Sequence, residues 1–136
     1  MVVPAGSRMI AWAGGILAVV GAGHLLLGLV FSVDYFDEWL TFQLWGRWLE
    51  DTPEVNGFWG VPGGFGLPLA IVGALVLWMN SNGIVPPAFL AWTVLAWGAV
   101  CAIIVEPTPA PLLVVAALLL LRGIRSAASE AEVAVS

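Results

Sequence analysis

Between Met9 and Phe31 the chain runs 23 residues without a charged side chain, and this run decides the solvent before any motif is considered. A helix of that length covers about 35 Å, more than the hydrocarbon layer of about 30 Å that roughly 20 apolar residues cross. The rest of the chain agrees. Of 136 residues, 61% are hydrophobic and 10% are charged, with a mean hydropathy of +1.02. Soluble domains carry about 25% charged residues, and a chain this short has too little interior to hide such an apolar excess from water. Disorder, collagen and a disulfide scaffold are excluded as well, because the 16 Gly follow no three-residue period and there is one Cys.

Three further segments have the character of spans. Phe58 to Met79 is free of charge but interrupted by Gly60, Pro62, Gly63, Gly64, Gly66 and Pro68. Pro87 to Val105 opens on a proline, which suits a first helical turn. The fourth begins at Pro107 and reaches residue 124, with Arg122 and Arg125 snorkelling at its end. The expected fold is all-α: a polytopic membrane protein with four transmembrane helices in one bundle, over residues 9–31, 58–79, 87–105 and 107–124. Residues 1–125 form the single domain, and residues 126–136 are expected as a flexible cytoplasmic tail. The first segment is longer than a signal-peptide core and lacks a small-residue cleavage site after it, so it is read as a retained helix.

The arginines set the orientation. Arg8 precedes the first span and Arg122 and Arg125 follow the fourth, so basic flanks place both termini in the cytoplasm and the protein in the plasma (inner) membrane. The outer side then collects Asp34, Asp37, Glu38, Glu50, Asp51, Glu54 and Glu106, seven of the nine acids, against Arg47 alone. Residues 34–51 (DYFDEWLTFQLWGRWLED) are rich in Trp, Phe and Leu. Asp34 suits the start of a helix and Asp37 and Glu38 its first turn, while the aromatic rings favour the headgroup level. One amphipathic helix lying in the outer interface is expected there, with a lid over a cavity as the alternative.

His24 is the only strongly polar side chain in the first span. Gly14, Ala18, Gly21 and Gly28 form a small-residue stripe that lets a neighbouring backbone approach, and His24 flanks it, so it points toward a helix rather than lipid. An intramembrane His is a candidate proton shuttle, ligand or base, or a neutral group making interhelical hydrogen bonds. Glu106, at the outer end of the third span, is its candidate acid/base partner, or else caps the fourth helix with Pro107. Trp39, Phe58, Trp59 and Trp97 join His24 as the candidate ligand-binding set. A second small-residue face runs through Ala88, Ala91, Gly98 and Ala102. Cys101 is alone, so neither a disulfide within the chain nor a four-ligand zinc site can form from it. The stretch Gly60 to Pro68 (GVPGGFGLP) lacks the frames of phosphate-binding loops. Its irregular backbone is expected inside the bundle or along a cavity open to the outer side. No metal or cofactor is expected. Without Lys, and with four scattered Arg, the chain offers nothing to nucleic acid.

The glycine-framed histidine Gly21-Ala-Gly-His24-Leu-Leu-Leu-Gly28, the Phe58-Trp59 pair, the run from Pro86 to Trp92 and the proline-rich hop into a leucine-rich fourth helix carry a resemblance. Over about residues 11–125 the chain resembles a family of small bacterial four-helix membrane proteins known only as a domain of unknown function. The resemblance implies the four-helix architecture and a recurrent His24; it implies no activity. Three functions compete. The first is association through the small-residue faces, as an accessory, regulatory or homo-oligomeric membrane component whose partners are lipids and other membrane chains. The second is binding or modification of a lipid- or quinone-like hydrophobe in an outward-opening cavity near His24. The third is proton-coupled export, for which the first span lacks a carboxylate.

Overall fold

The computed structural model describes residues 5–104 and 108–135. The described residues form six α-helices and one 3-10 turn, with no strand. Helix α1 (Ala5–Phe31) leads through the turn Val33–Tyr35 into the short α2 (Phe36–Leu40). Then come α3 (Pro53–Gly60), α4 (Gly66–Ser81), α5 (Ala88–Ile104) and α6 (Ala110–Val135). Two of them, over Gly6–Phe31 and Ala110–Glu130, are long and apolar enough to cross a membrane; α4 and α5 are apolar but shorter, at 16 and 17 residues.

Of the four long helices, α1 lies against α4 and α6, and α6 lies also against α5. The α1–α4 pairing is antiparallel and its register can be followed residue by residue. Ser7 Oγ donates to Asn80 Oδ1 at 3.0 Å at one end, Gly14 faces Gly73 and Leu77, Gly21 faces Gly66 and Ala70, and Gly28 meets Val61 at the other end. A β-carbon on Gly73 would stand 2.2 Å from the Ala18 nitrogen, and one on Gly21 would stand 2.4 Å from the Ala70 nitrogen. Glycine costs a helix about 1 kcal/mol relative to alanine, and the return here is contact between backbones that any side chain would prevent. Ile10, Ala13, Val76, Ala91 and Leu120 fill one end of the core; Leu17, Leu69, Val94, Leu113 and Ala116 fill the other. The outward faces carry large exposed apolar side chains, among them Val19, Leu26, Ile71, Trp78, Phe89 and Ile103.

Several sequence expectations change. Residues 34–51 are not one helix. Helix α2 ends at Leu40, after which Phe42 (φ 59°) and Gly46 (φ 80°) turn left-handed, and successive tight turns carry the chain on. A β-carbon disfavours that conformation and glycine does not, so Gly46 signals the break while Phe42 hides it. The second apolar stretch is two helices rather than one kinked span. Pro53 occupies the first turn of α3 after an extended Thr52, where its missing N–H is no loss. The break falls at residues 61–65, after which Pro68 sits in the first turn of α4 and kinks nothing. At the other end α6 continues as a helix to Val135, through most of the expected tail. Its Ala, Glu and Arg are good helix formers and no glycine or proline follows Gly123. Glu106 and Pro107 lie outside the described residues; the described helix begins at Ala110, whose N–H is met by the Thr108 hydroxyl at 3.3 Å.

Candidate functional site

The small-residue stripe of α1 delivers His24 to the end of the bundle where α3 stops. Its ring fits because Gly66 lies opposite: a β-carbon there would come within 3.0 Å of His24 Cδ2. Nε2 lies 3.0 Å from the carbonyl oxygen of Gly60, the last residue of α3. A carbonyl only accepts, so Nε2 carries a proton and donates it. The bond satisfies a carbonyl at the point where helix geometry ends. It ties α1 to the irregular stretch that an apolar surrounding would otherwise leave unsatisfied.

The histidine ring stacks on Phe65, with centroids 4.1 Å apart and planes at 31°, and Phe65 meets Trp97 edge-on at 5.3 Å and 72°. Phe65 and Trp97 together wall two crevices. One, of about 210 Å³, separates α4 from α5 between Pro68, Val72, Leu90 and Thr93. The other, of about 230 Å³, continues toward the start of α6 past Cys101, Pro109 and Leu113. Both are apolar: the Thr93 hydroxyl of the first is given to the Phe89 carbonyl at 2.9 Å, and the Thr108 hydroxyl of the second accepts from the Ala110 N–H at 3.3 Å. A wider hollow of about 460 Å³ opens beside His24 between Val20, Leu27 and Pro109. Sequence reasoning placed His24 and Trp97 but missed Phe65, which joins them; it is the only aromatic residue in the Gly60–Pro68 stretch.

The remaining candidates gather elsewhere. Trp39, Phe58 and Trp59 line a cavity of about 290 Å³ in the segment between α1 and α4, together with Phe42, Trp45 and Trp48. Helix α3 is held to α2 by Trp39 Nε1, which donates to the Glu54 carbonyl at 2.9 Å. Trp59 Nε1 donates to the Trp48 carbonyl at 3.3 Å and holds the turns between them. Arg47 bridges Glu50 at 2.7 Å and Glu54 at 3.1 Å. Hydrogen bonds and charge from both carboxylates raise the arginine further above its ordinary range. The Glu54 carboxyl is lowered, first by its own backbone N–H, then by the neighbouring Thr52 and by Arg47. The Thr52 hydroxyl lies close enough to add to this without forming a hydrogen bond in the geometry seen. The left-handed Phe42 forms part of the cavity wall; a bulky residue held there costs on the order of 1–3 kcal/mol and persists only where its surroundings fix it.

Both small-residue faces are used within the chain. The α1 stripe is closed by Gly66, Ala70 and Gly73. On α5, Ala91 is fully buried and Gly98 presses on Leu113, while Ala88 is exposed. Glu106 lies outside the described residues, so the structure brings no carboxylate to His24 among those described.

No curated protein and no solved structure matches the chain. Residues 8–127 match the model of one family, described as a family of unknown function (DUF6463), from the first turns of α1 well into α6. With nearly its whole length covered, the chain belongs to that family.

Proposed function

We propose that this is a small polytopic membrane protein that holds a lipid- or quinone-like hydrophobe in the crevice between α4 and α5, beside the His24–Phe65–Trp97 stack. The observation that carries this reading is the pair of apolar crevices sharing Phe65 and Trp97 as walls. A bundle that closes α1 on α4 down to backbone contact leaves α4 and α5 apart. Ligand pockets in helical bundles are largely apolar clefts with a few placed polar groups. His24 is the polar side chain in contact with Phe65, which walls both crevices.

The membrane reading rests on the charge-free run Met9 to Phe31 of α1, the apolar outward faces, and Arg8, Arg122 and Arg125 on α1 and α6 set against the acids between α1 and α4. Four crossings are proposed: α1, α4 continued by α3, α5 and α6. At 1.5 Å per residue, α4 and α5 alone reach about 24–26 Å, which fits a thin or locally pinched bilayer. Both termini lie in the cytoplasm, and the segment from α2 to α3 lies at the outer face of the plasma membrane. Association with other membrane chains, as an accessory or homo-oligomeric component, is the second reading. It needs a surface other than the two small-residue faces.

Native mass spectrometry from nanodiscs tests the proposal. The expected result is a monomer retaining a lipid-sized adduct that Thr93→Phe, which fills the crevice from an exposed position, removes. A bare wild-type protein, or an adduct indifferent to Thr93→Phe, sinks it.

A further inference from the structure

The aromatic cavity between α1 and α4 is separate from the crevice and has its own chemistry. Phe58 meets Trp39 and Trp59 each at 5.8 Å and at near right angles, 82° and 83°, so the three rings stand as adjoining walls. Trp45 and Trp48 line the same space. The N–H groups of Trp39 and Trp59 are spent on backbone carbonyls, so neither of these indoles has its donor free for a ligand. The lining side chains are aromatic or aliphatic throughout and contain no carboxylate, amide or hydroxyl.

Electrostatics then selects among occupants. Residues 33–60 carry Asp34, Asp37, Glu38, Glu50, Asp51 and Glu54 against the single Arg47, and Arg47 is already paired with two of them. One oxygen of Glu38 is shut off from solvent without a hydrogen-bond partner, a situation that positive charge relieves. The field therefore draws cations and repels anions. A primary ammonium entering the cavity would surrender three hydrogen bonds to water with no acceptor side chain to replace them. A quaternary ammonium has no N–H to satisfy and is attracted by indole faces. A neutral hydrocarbon would gain nothing from the six acids.

We propose that the Trp39–Phe58–Trp59 cavity is a binding site for a quaternary ammonium group of the choline type. Two sources supply that group, a soluble trimethylammonium compound or the headgroup of a choline lipid, and two experimental arms separate them. In the first, full-length protein in phosphatidylglycerol nanodiscs is titrated with choline and with its uncharged isostere 3,3-dimethylbutan-1-ol, followed by tryptophan fluorescence. In the second, native mass spectrometry counts the lipids retained from nanodiscs of mixed phosphatidylcholine, phosphatidylethanolamine and phosphatidylglycerol.

The expected result is a preference of about tenfold or more for the quaternary group, over the isostere in the first arm or over phosphatidylethanolamine in the second. Trp45→Ala and Trp48→Phe should each reduce it several-fold, while Trp92→Phe on α5 leaves it intact. Trp45 is 86% exposed, so its loss leaves the fold in place. A preference in the first arm identifies a soluble ligand, and one in the second arm alone identifies the headgroup. Equal binding of the charged and neutral probes together with no enrichment of phosphatidylcholine overturns the proposal. So does a preference that survives both cavity variants.

Discussion

Helix α4 has two neighbours in space and treats them oppositely. Toward α1 it presents Gly66, Ala70 and Gly73, and the two backbones touch without side chains between them. Toward α5 it presents Pro68, Leu69 and Val72, and a crevice of about 210 Å³ remains. Both surfaces are apolar, so hydrophobicity does not distinguish them. Side-chain size does: small residues permit a dry, continuous seam, whereas the bulk of Phe65 and Trp97 props the other pair apart at one end. A seam of this kind gains its energy from dispersion at close range and is intolerant of volume; a crevice is tolerant of volume and open to an occupant.

The largest expected effect follows from closing off that intolerance. Gly73→Leu places atoms where the Ala18 backbone already stands, and overpacking of a tight contact costs about 1–3 kcal/mol or more. Thermal unfolding in mild detergent should show a clear fall in Tm or loss of folded protein. Gly15 has nothing within 4 Å of its would-be β-carbon. Gly15→Ala should therefore leave Tm unchanged or raise it, by up to roughly 1 kcal/mol of helix propensity. If both substitutions act alike, the seam is not what holds α1.

His24→Ala comes next. It removes the hydrogen bond to Gly60 and the face on which Phe65 stacks. A net loss of about 1 kcal/mol is expected for the bond, seen as faster amide exchange over residues 61–65 while the α1–α4 seam stays protected. Equal loss of protection in both would show that the two regions are one unit. Smaller still is the effect of Thr93→Phe on stability. Its side chain is exposed and fills space rather than displacing a neighbour, so Tm should hardly move while ligand retention falls.

The smallest effect is pH dependence in the segment between α2 and α3. The Glu54 carboxyl is held below its ordinary value in the fold, so its contribution is complete above the unfolded pKa of about 4.3 and is lost as pH falls through the depressed folded value. Tryptophan emission from Trp39 and Trp59 should shift as pH drops below about 4.3, and Glu54→Gln should abolish the dependence. Arg47 is raised further still; it stays charged across this window and adds no pH dependence of its own.

The long helices were legible because charge-free runs and small-residue spacing are local properties. The α1 stripe, the seat of His24 beside it and a break within the Gly60–Pro68 stretch could all be read from the sequence. What could not be read is which partner each face meets. Gly60 offers only a carbonyl to His24, and no sequence pattern marks an acceptor on the backbone. The expected outer helix failed because nine apolar residues in eighteen satisfy a helical face as well as they satisfy a set of turns around a cavity. Phe42 in a left-handed turn has no local signature. The helical course of residues 126–135 was not legible because small and polar composition suits an irregular end and an alanine-rich helix alike.

The register of α1 also has a consequence for how the chain is made. Its partners are α4 and α6, encoded tens of residues later, and Gly6 meets Gly123 near the far end of the sequence. At ribosomal speeds of about 5–20 residues per second, the first helix waits on the order of ten seconds for its last neighbour. Until α4 has been made, the Gly14–Gly21 groove that it fills is vacant, while α5 and α6 can meet almost as soon as they are synthesised. Biogenesis therefore has an early, unpaired intermediate, and chains truncated before α4 should be the ones that bind stray small-residue helices or are cleared by proteolysis.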